Sequence, residues 1–304
     1  MSFAGVVSAA SAGMSANRLW VDRMNAQGFR AREEYSTEVP AGRRRLVFAG
    51  DSFTMGFGVG DEDTYPAQLE RLDGRLQSVN LGMGAYGADQ AFLRVGRDAK
   101  GLVLNLIVFA FIAHDFRRME LDYYMAPKPR LALANGKLEV ENVPVPERDA
   151  GEDARLAATQ FLSWLDLGKA LTRAAGRLRP KPSRETAERA GAAPNDFPFA
   201  PVAEAMFAEL ASLAREENAA LLLVYLPTRG ELLAAEQPVR DWAAHAADAR
   251  AIPFFDASPV FRGRDPTPLF GLNAHYSEAG NALVADALLP EVQRLTGLVP
   301  IAEE

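Results

Sequence analysis

The sequence contains no cysteine, and this absence excludes several kinds of chemistry at once. Disulfide bonds, zinc sites built from thiolates and a cysteine nucleophile are all impossible in this chain. Histidine is almost as scarce, with 3 residues in 304, so a reaction that needs an imidazole must use one of these three. We expect no metal and no cofactor, because no group of His, Asp and Glu residues has the spacing of metal ligands.

Basic residues are outnumbered by acidic ones, which gives a net charge of −7 and argues against a nucleic-acid partner. The chain also lacks a long apolar run. Residues Ser2 to Ala16 are small and apolar, but a membrane-spanning helix needs about 20 apolar residues. We expect a helical or disordered tail there. The alternative is the remnant of a signal or membrane anchor, which would favour a periplasmic or membrane-tethered protein.

Short apolar runs and amphipathic stretches alternate along most of the chain. The predicted strands are Leu46 to Ala49, Leu76 to Leu81, Leu102 to Phe111, Ala220 to Leu226 and Ile252 to Phe255. The predicted helices are Tyr65 to Leu72, Asp89 to Asp98, Val202 to Glu217, Glu231 to Ala249 and Glu278 to Leu295. This alternation is typical of an open, mostly parallel sheet with helices on both faces. The sequence therefore predicts an α/β fold, a three-layer α/β/α sandwich.

The stretch from Arg117 to Ala200 interrupts the alternation. Asn135-Gly136 lies between two short apolar runs and predicts a two-residue hairpin. An amphipathic helix follows, with Phe161, Leu165, Leu171 and Leu178 near one face, and residues 179–198 are rich in proline and charge and are expected to be mobile. We interpret 117–200 as an inserted cap within a domain that spans 44–304, and 1–43 as an N-terminal extension.

One serine and one histidine are placed where an α/β fold puts its ligands. Ser52 follows the first predicted strand through a tight turn, and His275 precedes the last predicted helix. In open parallel sheets, ligands bind beyond the C-terminal ends of the strands, and a serine nucleophile needs a base such as imidazole. The topology therefore predicts that Ser52 and His275, from opposite ends of the sequence, meet at that edge of the sheet.

Four segments, taken in order, resemble the conserved blocks of the SGNH or GDSL-type hydrolases. The segments are Gly50-Asp51-Ser52-Phe53-Thr54-Met55-Gly56-Phe57-Gly58-Val59, Asn80-Leu81-Gly82-Met83-Gly84-Ala85-Tyr86-Gly87, Phe111 to Asp115, and His275-Tyr276-Ser277-Glu278-Ala279-Gly280-Asn281. The resemblance extends from about Arg45 to Leu295, apart from the insertion. It implies a flavodoxin-like sandwich and an activity among the esterases, lipases and carbohydrate deacetylases.

The resemblance also implies a role for individual residues. Ser52 would be the nucleophile and His275 the general base. The oxyanion hole would consist of the Ser52 backbone N–H, a backbone N–H at Gly84 or Ala85, and a side-chain donor at His114. Two of these positions depart from the family, which usually has glycine where Ala85 stands and asparagine where His114 stands.

A third departure concerns the residue that supports the base. The family usually has an aspartate two or three residues before the histidine, where this chain has Asn273 and Leu272. Asn273 would orient the His275 ring through its amide oxygen but carries no charge. Two alternatives stay open: a carboxylate from another loop, at Asp265, Asp256 or Asp115, or a dyad of serine and histidine alone.

We predict a serine ester hydrolase or acyl transferase that forms an acyl-Ser52 intermediate. The expected partner is a small-molecule or carbohydrate ester with a short acyl group such as acetyl. The alternative, motivated by the three departures, is a non-catalytic SGNH-fold module that binds glycans or lipids. A flavodoxin-like nucleotide binder is disfavoured, because Gly82, Gly84 and Gly87 do not have the Gly-x-Gly-x-x-Gly spacing before a helix.

Overall fold

The structure, a computed structural model, describes residues 11–15, 18–147, 151, 197–234, 236–271 and 274–300. Its strands are β1 (Ser11–Ser15), β2 (Arg18–Asp22), β3 (Arg44–Ala49), β4 (Leu76–Asn80), β5 (Leu106–Phe111), β6 (Arg130–Ala134), β7 (Lys137–Glu141), β8 (Ala220–Tyr225) and β9 (Phe254–Asp256). Five of these strands form a parallel sheet in the order β4-β3-β5-β8-β9. Numbered within the sheet, this order is 2-1-3-4-5, the flavodoxin-like arrangement. The predicted fold class is confirmed.

The helices connect these strands and cover both faces of the sheet. They are α1 (Ser52–Met55), α2 (Tyr65–Leu72), α3 (Ala88–Asp98), α4 (Ala113–Arg118), α5 (Ala200–Glu216), α6 (Arg229–Leu232), α7 (Pro238–Asp248), α8 (Ser258–Phe261) and α9 (Glu278–Thr296), with one 3₁₀ turn at Asp61–Asp63. No helix within the described ranges combines the length and the apolarity needed to cross a membrane.

Alternating side chains of the strands divide the core into two halves. On β3, Val47 belongs to the core half that includes residues of α3, α5 and α7, whereas Phe48 belongs to the half that includes residues of α2 and α9. Both side chains are fully buried, and the same alternation continues through β5 and β8. Because both faces are covered, the strands read as continuous apolar runs rather than as an apolar and polar alternation.

Most predicted elements differ from the structure by one or two residues at an end, and two of them differ more. The strand expected from Leu102 begins at Leu106, because Val103 N instead donates to Thr37 O at 3.0 Å, outside the sheet. The helix expected over Glu231 to Ala249 is two helices, α6 and α7, and the second begins at Pro238. A proline has no N–H to donate within a helix and is favoured in its first turn.

The hairpin predicted within the inserted cap is confirmed. Strands β6 and β7 pair antiparallel around Asn135 and Gly136, which both have positive φ, at 52° and 77°. The segment that leads into the hairpin is joined to α3 by an ion pair between Lys128 Nζ and Asp89 Oδ2 at 2.7 Å, with both side chains buried. Residues 148–150 and 152–196 of the predicted cap, including the amphipathic helix with Phe161, lie outside the described residues.

The segment before β3 includes regular structure and part of the core. Residues 11–15 form a strand paired antiparallel with β2, so the expectation of a helical or disordered tail is wrong for that segment. Backbone pairing between the two short strands satisfies the groups that a coil would leave to water. Further along, Phe29 is buried in the core half that contains α3.

Candidate active site

The nucleophile candidate lies on a tight turn between β3 and α1. Gly50 has no space for a side chain, since a Cβ there would lie 2.3 Å from Thr54 Oγ1 and 2.6 Å from Ala110 O. The Asp51 carboxylate caps α1 by accepting from Phe53 N at 2.8 Å. Ser52 is the first residue of α1 and is half-buried. The turn therefore presents the Ser52 hydroxyl at the C-terminal edge of the sheet.

The structure brings Ser52 and His275 together across 223 residues of sequence. Ser52 Oγ lies 2.8 Å from His275 Nε2, so the hydroxyl can donate to the ring nitrogen when that nitrogen carries no proton. The imidazole packs against two aromatic rings, with centroid distances of 4.7 Å to Phe53 and 5.1 Å to Phe57. This packing fixes the plane of the imidazole beside the hydroxyl.

The loop that carries His275 is held by its own backbone. Gly271 N donates to His275 O at 2.8 Å, and Phe270 and Tyr276 form an antiparallel bridge. The Tyr276 hydroxyl then donates to Pro227 O at 2.8 Å in the buried interior. His275 is therefore placed by a closed turn anchored to the end of β8.

The residues proposed to support the imidazole have different outcomes. Asn273, like its neighbour Leu272, lies outside the described residues, so its role stays a prediction. Asp265 is exposed and caps a turn of its own loop by accepting from Thr267 N. Asp256 accepts from Ser258 N at 2.8 Å and lies 3.6 Å from Arg240 Nη1. The described contacts of these two carboxylates are thus made with groups other than His275.

Asp115, the third alternative, belongs to a buried cluster of ionisable side chains beside Ser52. Arg118 Nη1 lies 2.8 Å from Asp115 Oδ1 and 3.4 Å from Asp51 Oδ2. The same nitrogen donates to Tyr86 O at 2.8 Å, in the loop after β4. Asp51 Oδ2 in turn lies 3.4 Å from Ser52 Oγ. One guanidinium therefore links the two carboxyl groups, the loop after β4 and the nucleophile turn.

Burial and mutual repulsion set the protonation of this cluster. Burial raises the pKa of Asp115 well above its ordinary value, and the charge of Asp51 raises it further. Burial also raises the pKa of Asp51, against the opposing effects of the Phe53 N–H, Arg118 and His275. Since two such close carboxyl groups do not both ionise readily, Asp115 retains the proton more strongly. The attraction between His275 and Asp51 means that a positive imidazole and a negative Asp51 stabilise each other.

The Asp115→Asn substitution is expected to make the free energy of unfolding fall less steeply as the pH rises. A raised carboxyl pKa favours folding below the ordinary value of 3.8, and this contribution is lost as the pH rises through the raised pKa. The free energy of unfolding of the variant, relative to the unaltered protein, should therefore increase with pH. Urea denaturation over a pH series measures this difference. Exposed Asp265→Asn is the contrasting control, because hydrogen bonds from Thr267 lower the pKa of Asp265 and its difference should therefore change with pH in the opposite direction. Parallel curves for Asp115→Asn and the unaltered protein would contradict the assignment.

Backbone donors for an oxyanion are available near the nucleophile. Among the described residues, the N–H groups of Ser52, Gly84 and Ala85 have no protein acceptor, and all three residues are half-buried. Asn80 ties the loop of Gly84 to α1, because its Nδ2 donates to Thr54 O at 2.9 Å. Free N–H groups on two adjoining backbone segments are the arrangement that stabilises a tetrahedral oxyanion.

Ala85 has the backbone conformation that explains the family's glycine. Its φ is 67°, in the left-handed region where a Cβ costs about 1–2 kcal/mol. Ala85→Gly is therefore expected to raise the free energy of unfolding by up to about 1 kcal/mol, after the greater freedom of glycine in the unfolded chain is subtracted. Thermal or urea unfolding measures the change. Ala208→Gly, on the exposed face of α5, should instead cost about 1 kcal/mol, and a similar cost at Ala85 would contradict the argument.

His114 lies in the first turn of α4, directly after β5, and its side chain is exposed. Partial burial lowers its pKa, as do the neighbouring charges of Arg118 and Arg117. A lowered pKa keeps the imidazole neutral, and a neutral ring still has one N–H to donate. Its described ring contact is with Tyr124, at 6.1 Å between centroids. The oxyanion role of His114 stays a prediction.

Sequence reasoning missed two arginines that organise the site. Arg118 stands three residues after Asp115 on a helix, a spacing that places opposite charges on one face and was readable from the sequence. Arg30 contacts the other end of α1, and no local pattern signals that contact. Within the described ranges no group of three or more His, Asp or Glu side chains is placed to hold a metal ion.

No family model matches the sequence, and no curated protein is similar to it. Several solved structures resemble the chain. A putative lipolytic protein of the G-D-S-L family from Desulfitobacterium hafniense DCB-2 has 16% identity and a TM-score of 0.45, over 83% of this chain and 99% of that chain. A lipase/acylhydrolase from Enterococcus faecalis has 13% identity and a TM-score of 0.47, over 86% and 100%.

A third solved structure is a family two carbohydrate esterase from Clostridium thermocellum in complex with cellohexaose. It has 12% identity and a TM-score of 0.46, over 86% of this chain and 67% of that chain. These likenesses are too distant to assign an activity to this protein. The case for its function therefore comes from the geometry of the site.

Proposed function

We propose that the protein is a serine ester hydrolase or acyl transferase, with Ser52 as nucleophile and His275 as general base. The observation that carries this proposal is the 2.8 Å separation of Ser52 Oγ and His275 Nε2. A base within hydrogen-bond reach of a hydroxyl is the signature of an activated serine. Free backbone N–H groups on either side of the hydroxyl complete the parts that acyl transfer requires.

The reaction runs in two halves. Ser52 Oγ attacks the ester carbonyl carbon while its proton passes to His275 Nε2, and the carbonyl oxygen becomes an oxyanion held by the N–H groups of Ser52, Gly84 and Ala85. The C–O bond to the alcohol then breaks, and the alcohol leaves with the proton from His275. Water or an acceptor hydroxyl attacks the acyl-Ser52 ester in the second half, through the same base and the same oxyanion hole.

Asp51 supplies negative charge where the chain has Asn273 in the usual place of an aspartate. The transition state places a positive charge on His275, and the Asp51 carboxylate attracts that charge. Its neighbour Asp115 retains a proton and therefore adds less negative charge to the cluster. In this scheme Asn273 orients the ring, and Asp51 contributes the electrostatic stabilisation.

We further propose a short acyl group, such as acetyl, on a carbohydrate as the substrate. The resemblance of the sequence to the SGNH hydrolases, whose members include carbohydrate deacetylases, supports this choice. The half-buried ring of Tyr124 supports it as well, since it lies beside exposed His114 and below Arg118, whose Cζ is 4.8 Å from the ring centroid. An aromatic ring braced in this way offers an apolar face to a sugar while its hydroxyl stays available for hydrogen bonds.

Labelling with a fluorophosphonate probe tests the proposed function. Intact mass and peptide mapping should show one probe per protein, attached at Ser52, with labelling lost in Ser52→Ala and His275→Ala. A panel of acetyl, butyryl and octanoyl esters then ranks acyl chains, and acetylated sugars test the substrate class. A folded protein without label on Ser52 would contradict the proposal and favour the non-catalytic glycan- or lipid-binding module.

A further inference from the structure

The helix that carries Ser52 is too short to satisfy its own C-terminal end. Helix α1 spans four residues, Ser52–Met55, so carbonyls at its end and in the following loop lack helical partners. The Arg30 guanidinium fills this gap: Nη1 donates to Met55 O and Gly56 O, and Nη2 donates to Val59 O at 2.6 Å. One side chain from the segment before β3 thus closes the end of the nucleophile helix.

Arg30 is buried in the protein interior. Its side chain is 1% exposed, and Nε donates to Asp61 Oδ1 at 3.2 Å. Its backbone N–H donates to Asn80 O at 3.0 Å, and the Asn80 side chain in turn bonds to Thr54 O. Arg30 therefore joins α1, the turn that contains Asp61 and the loop that carries the predicted oxyanion donors.

The loop that follows α1, which Arg30 holds, also packs against the His275 ring. Gly56 has a left-handed φ of 82°, and a Cβ there would lie 3.1 Å from Arg30 Nη1, so the guanidinium lies close against this turn. Phe57 follows directly, and its ring packs against His275 at 5.1 Å. Since Arg30 holds the carbonyls before and after Phe57, the position of this ring depends on the guanidinium.

We propose that Arg30 is a positioning residue for acyl transfer, which holds the Ser52 helix and Phe57 in register with His275. Through Arg30, the segment of residues 22–43 would then contribute to the geometry of the active site. This inference rests on the proposed function. Lysine cannot replace the arginine here, because one ammonium group does not reproduce a planar fork that reaches three carbonyls and a carboxylate.

Rates of fluorophosphonate labelling in Arg30→Ala, Arg30→Lys and Arg45→Ala test the inference. Arg45 is the matched control, because it is also buried and its guanidinium also donates to backbone carbonyls, but at Thr37 and Glu38 beside the start of β3. We expect Arg30→Ala to lower the maximal labelling rate about 10- to 100-fold with little change in probe affinity. Methylguanidinium should restore part of the rate in Arg30→Ala and none in Arg45→Ala.

The outcomes separate this inference from the proposed function. If the unaltered protein is labelled, and Arg30→Lys or folded Arg30→Ala is labelled at the same rate, the role of Arg30 is refuted and the proposed function is not. A reduced rate that methylguanidinium does not restore would also overturn the role of Arg30. An unaltered protein that does not label would contradict the proposed function. Hydrogen exchange then decides, since faster exchange of amides 53–59 in Arg30→Ala than in Arg45→Ala supports positioning, and equal exchange refutes it.

Discussion

A His275→Ala variant is expected to hydrolyse an activated ester about 10⁴- to 10⁶-fold more slowly than the unaltered protein. Without the imidazole, the Ser52 hydroxyl loses the group 2.8 Å away that accepts its proton. The backbone N–H groups of the proposed oxyanion hole remain, so a residual rate above that in water should persist. Steady-state hydrolysis of a p-nitrophenyl ester measures the loss in turnover.

The double variant Ser52→Ala/His275→Ala sharpens this prediction. If the two residues act as one unit, the double variant should be no slower than either single variant. His245→Ala is the matched control, because His245 is exposed on α7 and its Nδ1 lies 2.7 Å from the backbone carbonyl oxygen of Asp241 in the same helix. Equal losses at His245 and His275, or additive losses in the double variant, would refute a coupled pair.

Gly82→Ala is expected to lower the free energy of unfolding by about 3–5 kcal/mol. A Cβ on Gly82 would lie 2.1 Å from Met55 N and 2.6 Å from Thr54 C, so it would strike the backbone of α1 rather than a movable side chain. The loop after β4 and the nucleophile helix would have to separate. Urea denaturation followed by circular dichroism measures the cost.

Gly84→Ala provides the control two residues away. The nearest atom to a Cβ on Gly84 is Met55 Sδ at 4.0 Å, an ordinary van der Waals contact. This variant should unfold within about 0.5 kcal/mol of the unaltered protein. Equal destabilisation of the two variants would mean that the loop does not approach α1 as closely as the structure shows.

The sequence predicted the elements that depend on local patterns. The helix over Tyr65–Leu72 has the predicted bounds, because Thr64 caps it and a proline stands in its first turn. The strand in front of Ser52 was readable because a buried parallel strand is continuously apolar. The hairpin at Asn135-Gly136 was readable because both residues favour positive φ.

Long-range contacts of charged residues were beyond sequence reasoning. The burial of Arg30 against α1 joins segments that show no common pattern, and a lone arginine in a polar stretch usually lies in water. The Asp51, Asp115 and Arg118 cluster forms only when two strand ends become neighbours in the sheet. The sequence signals only one part of these contacts, the three-residue spacing of Asp115 and Arg118.

Because Ser52 and His275 are far apart in the sequence, they come together late in co-translational folding. Helix α9, which follows His275, docks on α2 through Asn281, whose Oδ1 accepts from Tyr65 N at 3.0 Å, and through Gln293, whose Nε2 donates to Asp73 Oδ2 at 3.0 Å. Contacts that span more than 200 residues form late, after the intervening chain has been made. A nascent chain emerging from the ribosome would thus expose Ser52 without a base beside it until the 223 residues up to His275 have been made. Under the proposed mechanism, reactivity at Ser52 would arise only after α9 docks on α2, so covalent labelling would also report this docking step.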